Sequence, residues 1–406
     1  MPFRVALSGL NAASADLNVT ANNIANVNTT GFKRSRAEFA DVFQLSAFGL
    51  PSTAIGAGVR LARVAQQFEQ GSVEFTTHSL DLALSGEGFF TLSDNGALVY
   101  TRAGAFGTDR DGYVVNAAGQ RLQVFPPVGD GAAFDTARLT DLRLSTADNP
   151  PLATSTITTH LNLPANASPP VTTPFDASDP TSYNHTTSVT VYDSLGAAHT
   201  VSLYYVRTAT PNQWEMYARI DGNTVGGPNT LVLSDTGSLI TPATGQFTLP
   251  PYSPGNGAAD LNLTIDSAAV TQFGDSFGIS SLTQNGYASG RLTAIEITQE
   301  GIVQARYTNG QATPLGQIAL ANFPNPQGLQ QLGDTTWGES FAAGAVIRGT
   351  AGATNFGLIQ SGALESSNVD LTEQLVNMIT AQRNFQANAQ MISTADQITQ
   401  TIINIR

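Results

Sequence analysis

At 406 residues the chain is long enough for roughly two to three domains of ordinary size. Only 12% of its residues are charged and the formal net charge is -13, so its long-range field repels nucleic acid and anionic lipid. The absence of cysteine excludes disulfides, thiolate metal sites and Cys nucleophiles.

The first segment predicts a helix. Phe3, Leu10, Leu17 and Ile24 recur every seven positions, the narrow stripe of a coiled-coil seam. Asn18, Asn22, Asn23, Asn26 and Asn28 crowd its second half, and their amides compete for nearby backbone groups. Such a helix is marginal alone and is expected to order by packing against other helices. Asn28-Thr29-Thr30-Gly31 reads as its stop, with Gly31 as a left-handed cap. The opening Met1-Pro2-Phe3-Arg4-Val5-Ala6 lacks the unbroken apolar core of a secretory signal, and no stretch is apolar enough to span a bilayer.

From Phe32 to Gly71 the breakers Gly49, Pro51, Gly56 and Gly58 suggest an extended arm. The basic cluster Lys33, Arg34 and Arg36 reads as a solvated turn. From Ser72 to about Pro127, strands alternate with glycine turns at Asp94-Asn95-Gly96, Asp111-Gly112 and Ala117-Ala118-Gly119, the pattern of an antiparallel sandwich or barrel. A Pro- and Thr-rich passage from Asp148 to Tyr183 leads into a second β region. There Ser188–Tyr192 and Thr200–Val206 flank a turn at Asp193-Ser194-Leu195-Gly196, and Trp214–Ile220 is a further strand. Strand patterning resumes near Gly290–Ile297 and continues through Ile318–Phe323.

The last segment predicts a long helix from Leu371, capped by Asn368 or Asp370, with Glu373 suited to the helix dipole. No Pro or Gly interrupts it, so it would extend about 50 Å. Leu371, Met378, Phe385, Ile392 and Thr399 again recur every seven positions. Ala6, Ala13, Ala381, Ala389 and Ala395 beside the stripes would permit close helix approach, and Gln382, Asn384, Gln386, Asn388 and Gln390 form an uncharged polar face. The two stripes pack either on each other within one chain or laterally between copies. In the second case Phe3, Leu7, Leu10, Leu17, Ile24, Leu371, Leu375, Met378, Phe385, Ile392 and Ile402 are the expected polymerisation core.

The expected fold class is mixed, with coiled-coil-like helical termini flanking nested all-β domains of sandwich or barrel type. The terminal layer would comprise 1–30 and 366–406, connecting arms 31–71 and 350–365, an inner β domain 72–147 and 286–349, and an outer β insertion 148–285.

No enzymatic constellation emerges. His78, His160, His185 and His199 lie outside any nucleophile or zinc motif and read as surface or turn residues. Gly86-x-Gly88 lacks the third glycine and the helix that a phosphate cradle needs. Asp109-x-Asp111-Gly112 lacks the Glu that would close a calcium loop, because Gln120 stands there; a hairpin turn is favoured. No cofactor or metal is expected.

Three motifs carry a resemblance. Ala21-Asn22-Asn23-Ile24-Ala25-Asn26-Val27-Asn28-Thr29-Thr30-Gly31-Phe32-Lys33-Arg34 resembles the N-terminal motif of bacterial flagellar rod and hook proteins. Leu80-Asp81-Leu82-Ala83-Leu84-Ser85-Gly86-Glu87-Gly88-Phe89-Phe90 is similar to their internal motif. Ser361-Gly362-Ala363-Leu364-Glu365-Ser366-Ser367-Asn368-Val369-Asp370-Leu371, continuing into Gln382–Asn388, resembles their C-terminal one. The motif residues are Asn22, Asn23, Asn26, Gly31, Phe32, Gly86, Gly88, Phe89, Phe90 and Asn368. The insertion, with Val191–Gly196 followed by His199-Thr200, looks like the outer domain of hook members of this family, whereas distal rod members lack so large an insertion. The opening Pro2-Phe3-Arg4 is less typical of hook members.

The resemblance implies a self-polymerising hook subunit of the bacterial flagellum, with a distal rod protein as the alternative. It also implies export through the flagellar type III apparatus without a cleaved signal peptide. The implied partners are further copies, the rod, the hook cap and the hook–filament junction proteins, with no nucleic acid and no membrane insertion. A secreted glycan-cleaving enzyme would suit a β-rich acidic chain but needs a carboxylate pair in a cleft and leaves the terminal heptads unexplained, and an adhesin would be expected to carry a signal peptide.

Overall fold

The computed structural model describes residues 2–43, 56–129, 131–145 and 147–404, with the side chain of Ile402 outside that set; Gly49 and Pro51 also lie outside it. The chain is β-rich and carries a helix at each end, α1 (Pro2–Ala25) and α2 (Leu371–Asn404). It divides into two compact units. Unit 1 holds 1–146, 294–306 and 312–406, and unit 2 holds 147–293 and 307–311.

Unit 1 contains both helices and a 13-stranded sheet. The strand Phe89–Asp94 is covered on both faces. Phe90 and Leu92 join one apolar cluster with Leu82, Leu122 and Ile318, while Phe89 joins another with Tyr100, Phe323 and Trp337. Two-sided burial explains the unbroken Phe-Phe-Thr-Leu run, since a half-exposed strand alternates. Gly86 and Gly88, each at φ +118°, form the bend before this strand; a Cβ on Gly86 would come within 2.8 Å of Gly357.

The arm after α1 is not featureless. Ser35–Asp41 and Val59–Gln66 pair as an antiparallel hairpin. Glycine and proline lie between the strands in sequence, so breakers mark the connection and not the absence of an element.

Unit 2 is built on two sheets. One orders Gln246–Thr248, Thr264–Asp266, Thr156–Pro164 and Thr271–Phe273, with Gly278–Gln284 also on Thr156–Pro164. The other orders His185–Tyr192, Ala198–Arg207, Gln213–Ile220, Asn229–Leu233 and Leu239–Thr241. In Gln213–Ile220 burial alternates residue by residue, and Trp214, Met216, Ala218 and Ile220 point inward. They share one core with Leu161, Leu163, Leu263 and Ile265 of the facing sheet. This is the period-2 pattern of two sheets packed face to face, the first of them mixed, since Thr156–Pro164 runs parallel to Thr264–Asp266 and Thr271–Phe273.

Asp109 serves a turn, as its carboxylate accepts from the Asp111 and Tyr113 amides at 2.9 and 2.8 Å. The expected surface role of the histidines fails at His199, which is buried between Asp193 and Asp221. Both carboxylates come from turns brought together only by strand pairing. His185 is half-buried and stacks on Phe277 at 4.4 Å.

Candidate assembly surface and its locking junction

Asn23 of α1 hydrogen-bonds Gln374 of α2, and Gly9 faces the Asn388 side chain, so the helices run antiparallel. The residues buried at their contact are not the bulky heptads. On α1 they are Ala6, Ala13, Thr20 and Asn23, and on α2 Gln374 and Ala381. All of these but Asn23 recur at seven, in a register shifted from the stripe of Phe3 and Leu10. Small side chains allow close backbone approach, so contact is made by backbone and Cβ atoms more than by interlocking apolar knobs.

The bulky positions are displaced to the flanks. Phe3 is 51%, Leu7 41%, Leu371 44%, Leu375 45% and Phe385 37% exposed. Leu10, Leu17, Ile24, Met378 and Ile392 are half-buried. Val5, Val376, Ile379, Met391 and Ile398, which the heptad reading passed over, are also exposed.

The base of the helix pair is fixed by a buried ionic junction. Lys33, which the sequence placed in a solvated turn, is fully buried. Its Nζ lies 2.5 Å from Glu365 Oε1 and donates to the Glu69 carbonyl at 2.7 Å. The other Glu365 oxygen faces Arg102 at 3.3 Å, and Arg102 also donates to the Gly86 carbonyl at 2.7 Å. The Gly71 amide donates to Glu365 at 2.9 Å. Burial lowers the Lys33 and Arg102 pKa values, and Glu365 works against that in both cases. The cluster ties four separate stretches of chain at one carboxylate. The sequence's charge count around Lys33 missed it because Arg102 and Glu365 are remote in sequence.

The motif residues gather around this junction. The Asn23 side chain exchanges two hydrogen bonds with the Ser35 backbone, both 2.8 Å. Gly31, at φ +68°, does not cap α1, which ends at Ala25. Its amide instead donates to the Glu365 carbonyl at 2.7 Å, and a Cβ there would sit 2.4 Å from the Ala103 nitrogen. Asn368 accepts from the Arg34 amide at 2.7 Å and donates to the Gln67 carbonyl at 2.8 Å. That leaves Asp370 as the cap of α2, accepting from the Thr372 and Glu373 amides at 2.8 and 3.0 Å. Asn22, Asn26 and Phe32 line a cleft of about 770 Å³ together with Asn18, Asp334 and Trp337. Gly86 meets the junction through its carbonyl, whereas Gly88 lies in the bend before the strand and Phe89 and Phe90 belong to the sheet beside it.

The sequence matches four family models in chain order: "Flagella basal body rod protein" over residues 3–33, "Flagellar hook protein FlgE/F/G D1 domain" over 83–171, "Flagellar basal body protein FlaE D2 domain" over 162–287, and "Flagellar basal body rod FlgEFG protein C-terminal" over 360–405. The flagellar hook protein FlgE of Escherichia coli is 40% identical over 411 residues, covering 100% of both chains. The chain belongs to the flagellar hook protein family. The hook protein of Salmonella typhimurium is likewise 40% identical over the full length of both chains. The crystal structure of Helicobacter pylori flagellar hook protein FlgE2 shares the fold at a TM-score of 0.55 and 15% identity, covering 72% of this chain and 100% of that one. The hook protein family is structural, and this chain is a hook structural subunit of the flagellum that assembles with copies of itself. No described helix is long and apolar enough to cross a membrane.

Proposed function

We propose that the chain polymerises through the outer flanks of its terminal helices into the flexible tube of the hook, which couples rod and motor to the filament and transmits torque. The observation that carries this reading is the division of labour on the helices. The contact within the chain uses Ala6, Ala13 and Ala381, which leaves Phe3, Leu7, Leu375 and Phe385 for neighbouring copies. An apolar surface of this kind is costly to leave in water and marks an interaction site. Side-by-side packing of several helices on these flanks would form a coiled-coil-like inner layer. The β units would form outer layers, whose low charge lets neighbours slide without breaking strong ion pairs.

In this reading the subunit leaves the cell through the flagellar type III apparatus without a cleaved signal peptide. It would assemble on the rod beneath the hook cap, and the finished tube would meet the hook–filament junction proteins. The motif residues Asn23, Gly31 and Asn368 would set how the helices leave the β portion of unit 1.

The test is Phe385→Asp and Leu375→Asp in the full chain, read by electron microscopy of polymers and of basal bodies from cells carrying the variants. Rods without hooks, from a protein that still folds as a monomer, are expected. Normal hooks would overturn the assignment of these residues.

A further inference from the structure

Unit 2 is entered and left by two short segments that pair with each other, Asn149 with Gly290 and Leu152 with Tyr287. The turn Asp193–Gly196 rests on this pair. Gly196 takes φ +84°, and a Cβ there would lie 3.0 Å from Pro151 and 3.3 Å from the Ser289 amide nitrogen. The position of the turn is therefore coupled to the two segments through which the chain passes in and out of the unit.

Side chains hold this turn. Asp193 accepts from the Leu195 and Ala197 amides, both at 2.9 Å. Its Oδ2 accepts from Asn256 at 2.6 Å and faces His199 Nε2 at 3.2 Å. The other ring nitrogen, Nδ1, is 2.6 Å from Asp221 Oδ2, while Asp221 Oδ1 accepts from the Thr200 amide at 2.9 Å. The Asn256 segment is tied in again where the Ala259 amide donates to Ser194 Oγ at 2.9 Å.

A carboxylate stands at each nitrogen of the ring. Neutral imidazole has one N–H and one lone pair, so it satisfies one carboxylate and opposes its lone pair to the other; imidazolium donates to both. Asp193 and Asp221 are the ionisable groups facing the ring, Asn256 is neutral, and among the described residues neither carboxylate is ion-paired to Lys or Arg. Among the described residues, no group of three or more His, Cys, Asp or Glu side chains is placed to hold a metal ion.

We propose that His199, clasped in its protonated form between Asp193 and Asp221, is a pH-sensitive latch that fixes the Asp193–Gly196 turn against the paired segments at the base of unit 2. The latch opens on the alkaline side. Burial pulls the His199 pKa down, but the hydrogen bonds to Asp221 and Asp193 outweigh it and hold the pKa above the ordinary 6.5. Stability from a raised histidine is complete below 6.5 and is lost as pH rises through the folded value. Burial pushes Asp193 up, but hydrogen bonds from Asn256, Ala197, His199 and Leu195 hold it at about 2. Asp221 is held below 3.8 in the same manner, against its burial, by the Thr200 amide and His199. The acidic partners are thus charged above 3.8, and the latch is fully closed between 3.8 and 6.5.

The experiment is amide hydrogen exchange on the full-length monomer at about pH 5.5 and about pH 8.5, corrected for intrinsic rates, in peptides spanning 192–201 and 253–262. Wild type is expected to lose protection in both peptides at the higher pH. His199→Gln should be weakly protected at both pH values and flat between them, and Asp221→Asn should shrink the wild-type difference. Equal wild-type protection at the two pH values, or a wild-type pH dependence retained in His199→Gln, overturns the latch. Should a variant not fold, ring titration of His199 by NMR in the wild-type chain decides alone: a midpoint above 6.5 supports the latch and one at or below 6.5 overturns it.

Discussion

Trp214, Met216, Leu231 and Leu263 are wholly covered inside unit 2, whereas Phe3, Leu375, Ile379 and Phe385 on the terminal helices stand about half in solvent. The two regions use the same residue types to opposite ends. In unit 2 the alternation of strands directs every second side chain of Gln213–Ile220 to a facing sheet of the same chain. In the helix pair the buried positions are held by alanine, threonine and amides, while the bulky side chains are half-buried or exposed. A closed core completes a fold, while apolar helix flanks left in solvent mark an interaction site. A third arrangement, within unit 1, is the Lys33–Glu365–Arg102 junction, which buries charge where apolar packing would serve stability at least as well. A buried ion cluster of this kind specifies register: it accepts only the chain alignment that brings Glu365 to both cations.

This contrast can be broken at several points. The largest expected effect is at the junction, where Glu365→Ala leaves two cations buried without their partner. It should cost about 3–5 kcal/mol in unit 1, measured by chemical denaturation with exchange probes in each unit. Protection in unit 2 should hold, and loss of both units together would show that they do not fold separately. Leu231→Ala should destabilise unit 2 by about 2–5 kcal/mol, by transfer and cavity terms, while leaving polymer formation intact in electron micrographs of cells. Ala381→Leu should overpack the helix contact at a cost of about 1–3 kcal/mol, visible as faster exchange in peptides of both helices. If the bulky stripe were the real intramolecular seam, that substitution would be nearly silent. The smallest effect on folding is expected at Phe385→Asp, within about 0.5 kcal/mol in the monomer, as for other surface changes, although it should remove assembly. A large monomer destabilisation there would place Phe385 in the chain's own core.

Much of the candidate site was legible in local patterns. The heptads located both helices, and the alanines beside them were recognisable as points of close approach. Asp370 was readable as a cap because its partners are two and three residues away. Asn23 and Asn368 were visible only as motif letters; their roles depend on Ser35 and Gln67, which pattern reading does not connect to them. Gly31 looked like a helix stop, yet its positive φ serves a crossing over Arg102 and Ala103.

The sequence by itself determined what depends on neighbours along the chain: helix at the ends, strand and turn between, the hairpin at Asp193–Gly196, and the family to which the motifs belong. Only the tertiary structure decided which heptad faces inward, since both registers are amphipathic and the choice rests on how closely two backbones approach. It alone decided that Lys33 is buried and His199 clasped, because their carboxylates arrive from positions remote in sequence, or from separate turns, and charge pairing is a property of distance in space.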